Sequence, residues 1–226
     1  MSALPHPLHA LEKLSYEAQF WEATPQGCLA GVDEAGRGCL AGPVVAGAVL
    51  IAPDDIVPLA QNELLRVNDS KQLTAKQRDG CFEIITHHPK IHWAVGQASP
   101  EEIDQLNILR ATHLAMRRAV EGLTPTPTHA LVDGLPIKGL PISHTAIVKG
   151  DAKSLLVACA SIVAKVTRDR LCEALDKCYP HYGFAQHKAY GTKAHLEALR
   201  TYGPCPEHRK TFAPVAVVQD ELALEF

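Results

Sequence analysis

At 226 residues, with 46% hydrophobic and 21% charged side chains, the chain has the make-up of a soluble globular protein: one large domain, or a main domain with an appendage. A formal net charge of −3 argues against a generally basic nucleic-acid binder, and no apolar run approaches the ~20 residues that a membrane helix needs. Seven cysteines, odd in number and without a C-x-x-C pair, read as reduced and mostly buried thiols; with no signal-peptide pattern at the N-terminus, the expected location is cytoplasmic.

Residues 8–22 predict a short amphipathic helix, closed by Thr24-Pro25-Gln26-Gly27. An apolar lead-in, Cys28-Leu29-Ala30, then runs into Gly31-Val32-Asp33-Glu34-Ala35-Gly36-Arg37-Gly38, and residues 43–51 read as a second strand. Unpaired buried charge is costly, so two acids at the end of a buried strand call for a cation or a polar substrate. Glycines close behind suit a backbone at positive φ or one that must touch a ligand. Pro53-Asp54-Asp55 reads as a turn and Asn68-Asp69-Ser70-Lys71 as a polar loop. Thr74 is the expected cap of a helix running to about residue 87. Residues 91–96 form a third strand, and Ser99-Pro100-Glu101-Glu102 opens another helix. Over residues 107–121, Ile108, Ala111, Leu114, Ala115 and Ala119 fall at helical spacing.

Beyond a proline-rich connector at 124–128, Ala130-Leu131-Val132-Asp133-Gly134 predicts a strand that again ends in an acid. Residues 145–148 predict another, followed by Lys149-Gly150-Asp151. The longest helical pattern covers 154–179, then comes a loop through Tyr182-Gly183-Phe184 to Tyr190-Gly191, a helix near 192–202 and a tail from 204. In open α/β sheets ligands gather at the carboxyl ends of strands, where Asp33, Glu34, Asp133 and Asp151 could converge. Four carboxylates without a His or Cys cluster favour hard cations, Mg²⁺ or Mn²⁺. Two such ions about 3.5–4 Å apart would relieve the repulsion among the acids and clamp the attacking and leaving oxygens of a phosphodiester. From Lys149 to Lys210 eleven Lys and Arg face six Asp and Glu, compatible with a phosphate-tracking face or with a solvated helical surface.

Asp33-Glu34-Ala35-Gly36-Arg37-Gly38 with Leu40-Ala41-Gly42-Pro43-Val44-Val45 resembles the opening signature of ribonuclease HII. Asn68-Asp69-Ser70-Lys71-Gln72-Leu73-Thr74, Leu131-Val132-Asp133-Gly134 and Lys149-Gly150-Asp151-Ala152 resemble its later blocks in the same order. Residues 160–170, Tyr182-Gly183-Phe184 with His187-Lys188, and His208-Arg209-Lys210-Thr211-Phe212 complete the set, so the likeness runs from about residue 31 to 215. It implies an α/β fold: an RNase H-like mixed central sheet flanked by helices, with a small helical C-terminal extension. The implied division is an N-terminal helical extension at 1–26, a catalytic domain at 27–180 and a substrate-contacting helical extension at 181–226.

The resemblance implies a monomeric endonuclease that cuts the RNA strand of RNA·DNA hybrids and nicks 5′ of single ribonucleotides in duplex DNA. Asp33, Glu34, Asp133 and Asp151 would hold Mg²⁺ or Mn²⁺, two ions during catalysis. Gly36-Arg37-Gly38 would sense the ribose 2′-OH through backbone groups, the group that tells RNA from DNA. Tyr190 would pack on the adjoining deoxyribose, and Ser70 and Lys71 would contact phosphates. Read from the residues alone, Arg37 could instead pair with one of the acids, and Tyr190 could be an ordinary loop aromatic. Ser161, Lys165 and Arg168 share a helical face that could brace the carboxylates or line the nucleic acid. His187 could contact phosphate or fix its loop. The chain departs from the family pattern at Cys39 (usually proline), Ala189 (usually glycine), Cys159 (commonly alanine) and Leu135-Pro136 (more often asparagine and arginine). The nearest rivals are another nuclease on the same fold, such as a junction resolvase, and a module that binds hybrids without cutting. A dinucleotide site is disfavoured, since Gly36, Gly38 and Gly42 are spaced one residue too long and follow acids that would repel phosphate.

Overall fold

The computed structural model describes residues 12–65, 67 and 73–224. Five strands, β1 (Leu29–Ala35), β2 (Val44–Ile51), β3 (Ile91–Ala98), β4 (His129–Asp133) and β5 (Ser143–Ile147), form one sheet in the order β3-β2-β1-β4-β5. The first three make an antiparallel meander, while β4 joins β1 and β5 joins β4 in parallel. The carboxyl ends of β1, β4 and β5 therefore share one edge of the sheet.

Alternation along β1 explains the two layers of core. Leu29 faces one side and packs with Trp21 of α1 (Ser15–Ala23), Phe82 and Ile85 of α3 (Ala75–His87), and the buried half of α7 (Leu155–Cys178). Ala30 and Val32 face the other side, against Ala111, Ala115 and Ala119 of α5 (Ile108–Glu121). Every residue of β2 is buried, as expected of a strand covered on both faces. The crossing of α7 over the sheet depends on absent side chains: a Cβ on Gly31 would lie 2.1 Å from the carbonyl carbon of Leu156, and one on Gly47 would lie 2.4 Å from the carbonyl oxygen of Ala160. Backbone approaches backbone there, and the helix is drawn onto the carboxylate-bearing strand.

Capping agrees with the sequence. Thr74 and Gln77 form a capping box at the start of α3, and Ser99 and Glu102 form another at the start of α4 (Pro100–Leu106). At Pro53-Asp54-Asp55 the chain does not merely turn; it starts α2 (Pro53–Gln61), with proline and two acids in the first turn. The N-terminal helix starts at Ser15, after a 3₁₀ turn at Glu12–Leu14, and the earlier part of its expected span lies outside the described residues. Beyond α6 (Gly150–Lys153) and α7, the chain adds α8 (Phe184–His187), α9 (Lys193–Tyr202) and α10 (Ala213–Leu224). Among the described residues no helix is long and apolar enough to cross a membrane.

Candidate active site: a carboxylate cluster beside a glycine turn

The parallel register of β1 and β4 pairs Gly31 with Leu131 and Val32 with Val132. One step further, Asp33 and Asp133 stand side by side on the face covered by α7, on strands about 4.8 Å apart. Glu34 follows at once, with its side chain 13% exposed. Asp33 is buried, and its carboxyl is held well above the usual carboxylate range by desolvation first, then by the charges of Glu34 and Asp133. Two hydrogen bonds oppose that rise: one from Ser161 on α7, and one from the Glu34 N–H to Asp33 Oδ1 at 2.7 Å. Burial also raises Glu34, against the opposing pull of Arg37, with a further rise from Asp133.

Asp133 is oriented from the start of α6. The N–H of Gly150 donates to Asp133 Oδ1 at 2.6 Å, and the buried Asp151 is the next residue, in α6. Among the described residues, no three His, Cys, Asp or Glu side chains close into a ready-made protein cage for an ion. Such a cage is not what a hard divalent cation uses in nucleotide chemistry, where one or two carboxylates, waters and substrate phosphates share the coordination. An all-oxygen set of adjacent acids, one held toward protonation by burial and then by its neighbours, fits a hard divalent cation.

After β1 the chain turns through Gly36 at φ +93°. From the C-terminal segment the buried Arg209 reaches back: its guanidinium donates to the carbonyls of Gly36 (2.7 Å), Arg37 (2.9 Å) and Gly42 (3.0 Å). A trans peptide sets N–H opposite C=O, so the N–H groups of Arg37 and Gly38 face away from Arg209, on a stretch that is exposed. Burial lowers Arg209 to about 10, which leaves it charged at neutral pH and polarising those peptides. The Arg37 side chain bonds Glu34 at 3.0 Å while remaining half exposed.

Tyr190 forms an isolated antiparallel β-bridge with Cys39, and the residue is 45% exposed beside the turn. The buried Cys39 thiol and the Tyr190 hydroxyl are hydrogen-bond partners, so the cysteine found in place of proline touches the tyrosine directly. Ala189 sits at φ +61°, a left-handed conformation that glycine takes without strain, which is the physical reason its position favours glycine.

The three residues sharing a face of α7 divide their tasks. Ser161 braces Asp33, whereas Lys165 pairs with Asp169 at 2.7 Å. Arg168 is buried and donates to the carbonyls of Lys188 (2.8 Å) and Ala41 (3.3 Å). His187 fixes its loop through Nε2 and the Tyr182 carbonyl at 2.7 Å. Arg168 and Arg209 thus drop out of the phosphate-tracking face suggested by the charge count, because each is buried with its guanidinium turned to main-chain oxygens. Sequence reasoning assigned Arg209 no role; its only signal was a place in the His208-Arg209-Lys210 block. Ser70 and Lys71 lie outside the described residues.

A mixed sheet of this order, with acids clustered where its parallel strands end, beside a turn that presents amides outward, is the frame of a metal-dependent nuclease that hydrolyses phosphodiester bonds, the class to which the chain's relatives belong. The family model described as ribonuclease HII matches residues 30–215, and the chain belongs to that family. A ribonuclease HII of Delftia acidovorans is 55% identical over 194 residues, covering 86% of this chain and 79% of that one. One of Vibrio vulnificus is 50% identical over 193 residues, covering 84% and 89%. The crystal structure of ribonuclease H2 from Pyrococcus horikoshii OT3 superposes with a TM-score of 0.72 at 29% identity, covering 87% of this chain and 99% of that one.

Proposed function

We propose that the enzyme hydrolyses the RNA strand of RNA·DNA hybrids and nicks duplex DNA on the 5′ side of single ribonucleotides, leaving 3′-OH and 5′-phosphate ends. The observation that carries this is the clustering of the buried Asp33 with the partly buried Glu34 and Asp133 beside the outward-facing amides of Arg37 and Gly38. Asp33, Glu34, Asp133 and Asp151 are the residues that would hold two divalent ions. Bound there, divalent ions would supply a water of lowered pKa and charge neutralisation at the departing 3′ oxygen.

The chain's own groups do the positioning. Ser161 and the Glu34 N–H hold Asp33, and the Gly150 N–H holds Asp133, so two carboxylates keep their direction as substrate arrives. The Gly36–Gly38 turn offers amides to a ribose 2′-OH, which is read and not consumed as a nucleophile. Tyr190, half exposed beside that turn, packs against the next sugar and favours a deoxyribose there. Ser70 and Lys71 serve phosphates. With all seven cysteines free, a reducing compartment such as the cytoplasm suits the protein.

The deciding experiment is cleavage of a DNA duplex carrying one ribonucleotide, with Mg²⁺ and with Mn²⁺, mapped to the nucleotide. A single cut 5′ of the ribonucleotide with 3′-OH and 5′-phosphate ends is expected. A 2′,3′-cyclic phosphate would overturn the assignment, because it marks attack by the 2′-OH.

A further inference from the structure

The main-chain carbonyl of Tyr190 accepts from Nδ1 of His195 at 2.9 Å. Behind it, Nε2 of His195 faces Nε2 of His208 at 3.1 Å, and Nδ1 of His208 meets the N–H of Cys205 at 3.0 Å and its Sγ at 3.1 Å. Both imidazoles are buried, at 0% and 1% exposure.

The two ends of this chain determine where its protons are. A carbonyl only accepts, so Nδ1 of His195 carries hydrogen; a peptide N–H only donates, so Nδ1 of His208 is bare. The neutral His208 then holds its hydrogen on Nε2 and donates to the bare Nε2 of His195. Every ring nitrogen is used and each bond runs the same way. A second proton on either ring would set N–H against N–H, at the joint between the rings or at Cys205. The titratable groups packed on the pair are His187, whose ring stacks on His195 at 4.6 Å, with Cys205 and Tyr182 beside His208; none supplies a carboxylate that would stabilise an imidazolium. Burial lowers both histidines accordingly, His208 to about 4.

His208 is also the neighbour of Arg209. The N–H of Arg209 donates to the Leu40 carbonyl, and its guanidinium grips the carbonyls of Gly36 and Arg37. One dipeptide thus holds the turn on one side and, through His195, the backbone of Tyr190 on the other. We propose that His195 and His208 form a positioning relay that keeps Tyr190 in register with the Gly36–Gly38 turn, and so sets the preference for a ribonucleotide followed by a deoxyribonucleotide over continuous RNA. This rests on the reading of Tyr190 given above.

The test compares cleavage of a one-ribonucleotide duplex with that of an all-RNA·DNA hybrid, as a ratio of kcat/KM, for the full-length enzyme and four variants. Tyr190→Ala tests the tyrosine. His195→Leu removes the relay; His195→Asn keeps a side-chain amide where Nδ1 stood and can still donate to the Tyr190 carbonyl. In His208→Asn the short side chain still accepts from Cys205 but does not reach His195. Tyr190→Ala is expected to lower the ratio. His195→Leu is expected to lower it about fivefold, the value of one lost hydrogen bond, and His195→Asn and His208→Asn, which each break only the joint between the two rings, are expected to lower it by less, with hybrid cleavage little changed. A ratio unmoved by Tyr190→Ala overturns the reading of the tyrosine and the relay with it. A ratio lowered by Tyr190→Ala but kept by His195→Leu and His208→Asn overturns the relay alone. Equal loss on both substrates overturns it too, since a merely structural role acts that way. Should His195→Leu fail to fold, His195→Asn and His208→Asn decide: a lowered ratio in both supports the relay, and an unmoved ratio in both overturns it.

Discussion

A Cβ on Gly36 would stand 2.0 Å from Nε of Arg168. The guanidinium lies beneath the turn, bonded to the carbonyls of Lys188 and Ala41, with its central carbon 5.9 Å from the centre of the Tyr190 ring. The glycine is therefore needed twice over, for its φ of +93° and for the arginine that fills the place of its side chain. Gly36→Ala should cost roughly 1–3 kcal/mol of stability from backbone strain alone. Displacing Arg168 should also disturb the Tyr190 loop. Chemical denaturation and cleavage assays on the purified variant check both effects; wild-type values in both would mean that the turn and Arg168 are not coupled.

Arg209 is the second clamp on the same turn, and its planar fork matches three carbonyls that a lysine ammonium cannot reach together. Buried acceptors left without a donor cost about 1–3 kcal/mol each, so Arg209→Lys should destabilise the fold by about 3 kcal/mol despite the retained charge. Cleavage of both substrates should fall with it, because the Arg37 and Gly38 amides lose their direction. Denaturation midpoints of Arg209→Lys and Arg209→Met measure this directly. A lysine variant close to wild type would show that charge, not the fork, matters there.

Asp33 carries the opposite signature, a side chain that the fold tolerates at a cost. Burial and two neighbouring carboxylates disfavour its charge, so Asp33→Asn should unfold at a temperature no lower than wild type. The hydroxyl of Ser161 can rotate to accept from the new amide. Cleavage should fall by at least about a hundredfold, since an electrostatic element of the site is gone. Mg²⁺ or Mn²⁺ should raise the melting temperature of the wild type and do so less for the variant. A variant that melts lower and still responds fully to metal would remove Asp33 from the ion site.

The strands and most helices were legible because their signals are local: the apolar run of β2, the capping boxes at Thr74 and Ser99, the periodicity of α5. The proline-and-acid signature at Pro53 is harder to tell from a turn, because the helix it starts has no capping side chain at Ala52 and carries Pro58 inside it. Single-turn helices such as α6 and α8 are too short to show a period. Within the site, the four acids were visible as strand-end residues, but the pairing of Asp33 with Asp133 depends on strand register. Arg168, Arg209, His195 and His208 were opaque for a different reason. Their partners include main-chain carbonyls up to 173 positions away, and no residue type announces a carbonyl that needs a donor.

Glu17 on α1 is a further buried acid that the sequence left unremarked, and it predicts a pH dependence. Its Oε1 accepts from the hydroxyl of Ser154 at 2.7 Å and from the N–H of Leu156 at 3.1 Å, tying the N-terminal helix to the start of α7, three residues past Asp151. Its other oxygen is buried without a partner, and desolvation outweighs those bonds, raising the carboxyl from 4.5 to about 7. Between these values the folded protein keeps a proton that the unfolded chain releases. This contribution to stability is therefore largest at the acid end, declines as pH rises toward 7, and is flat above it. The full span is roughly 3 kcal/mol. Glu17→Gln retains the acceptor oxygen but cannot ionise, so it should lack this component. Asp33 and the buried histidines contribute slopes of their own, which cancel when wild-type and variant unfolding free energies are subtracted at each pH from 5 to 8. The difference should grow in favour of Glu17→Gln as pH rises to about 7 and then level off; parallel curves would show that Glu17 does not titrate in the folded protein.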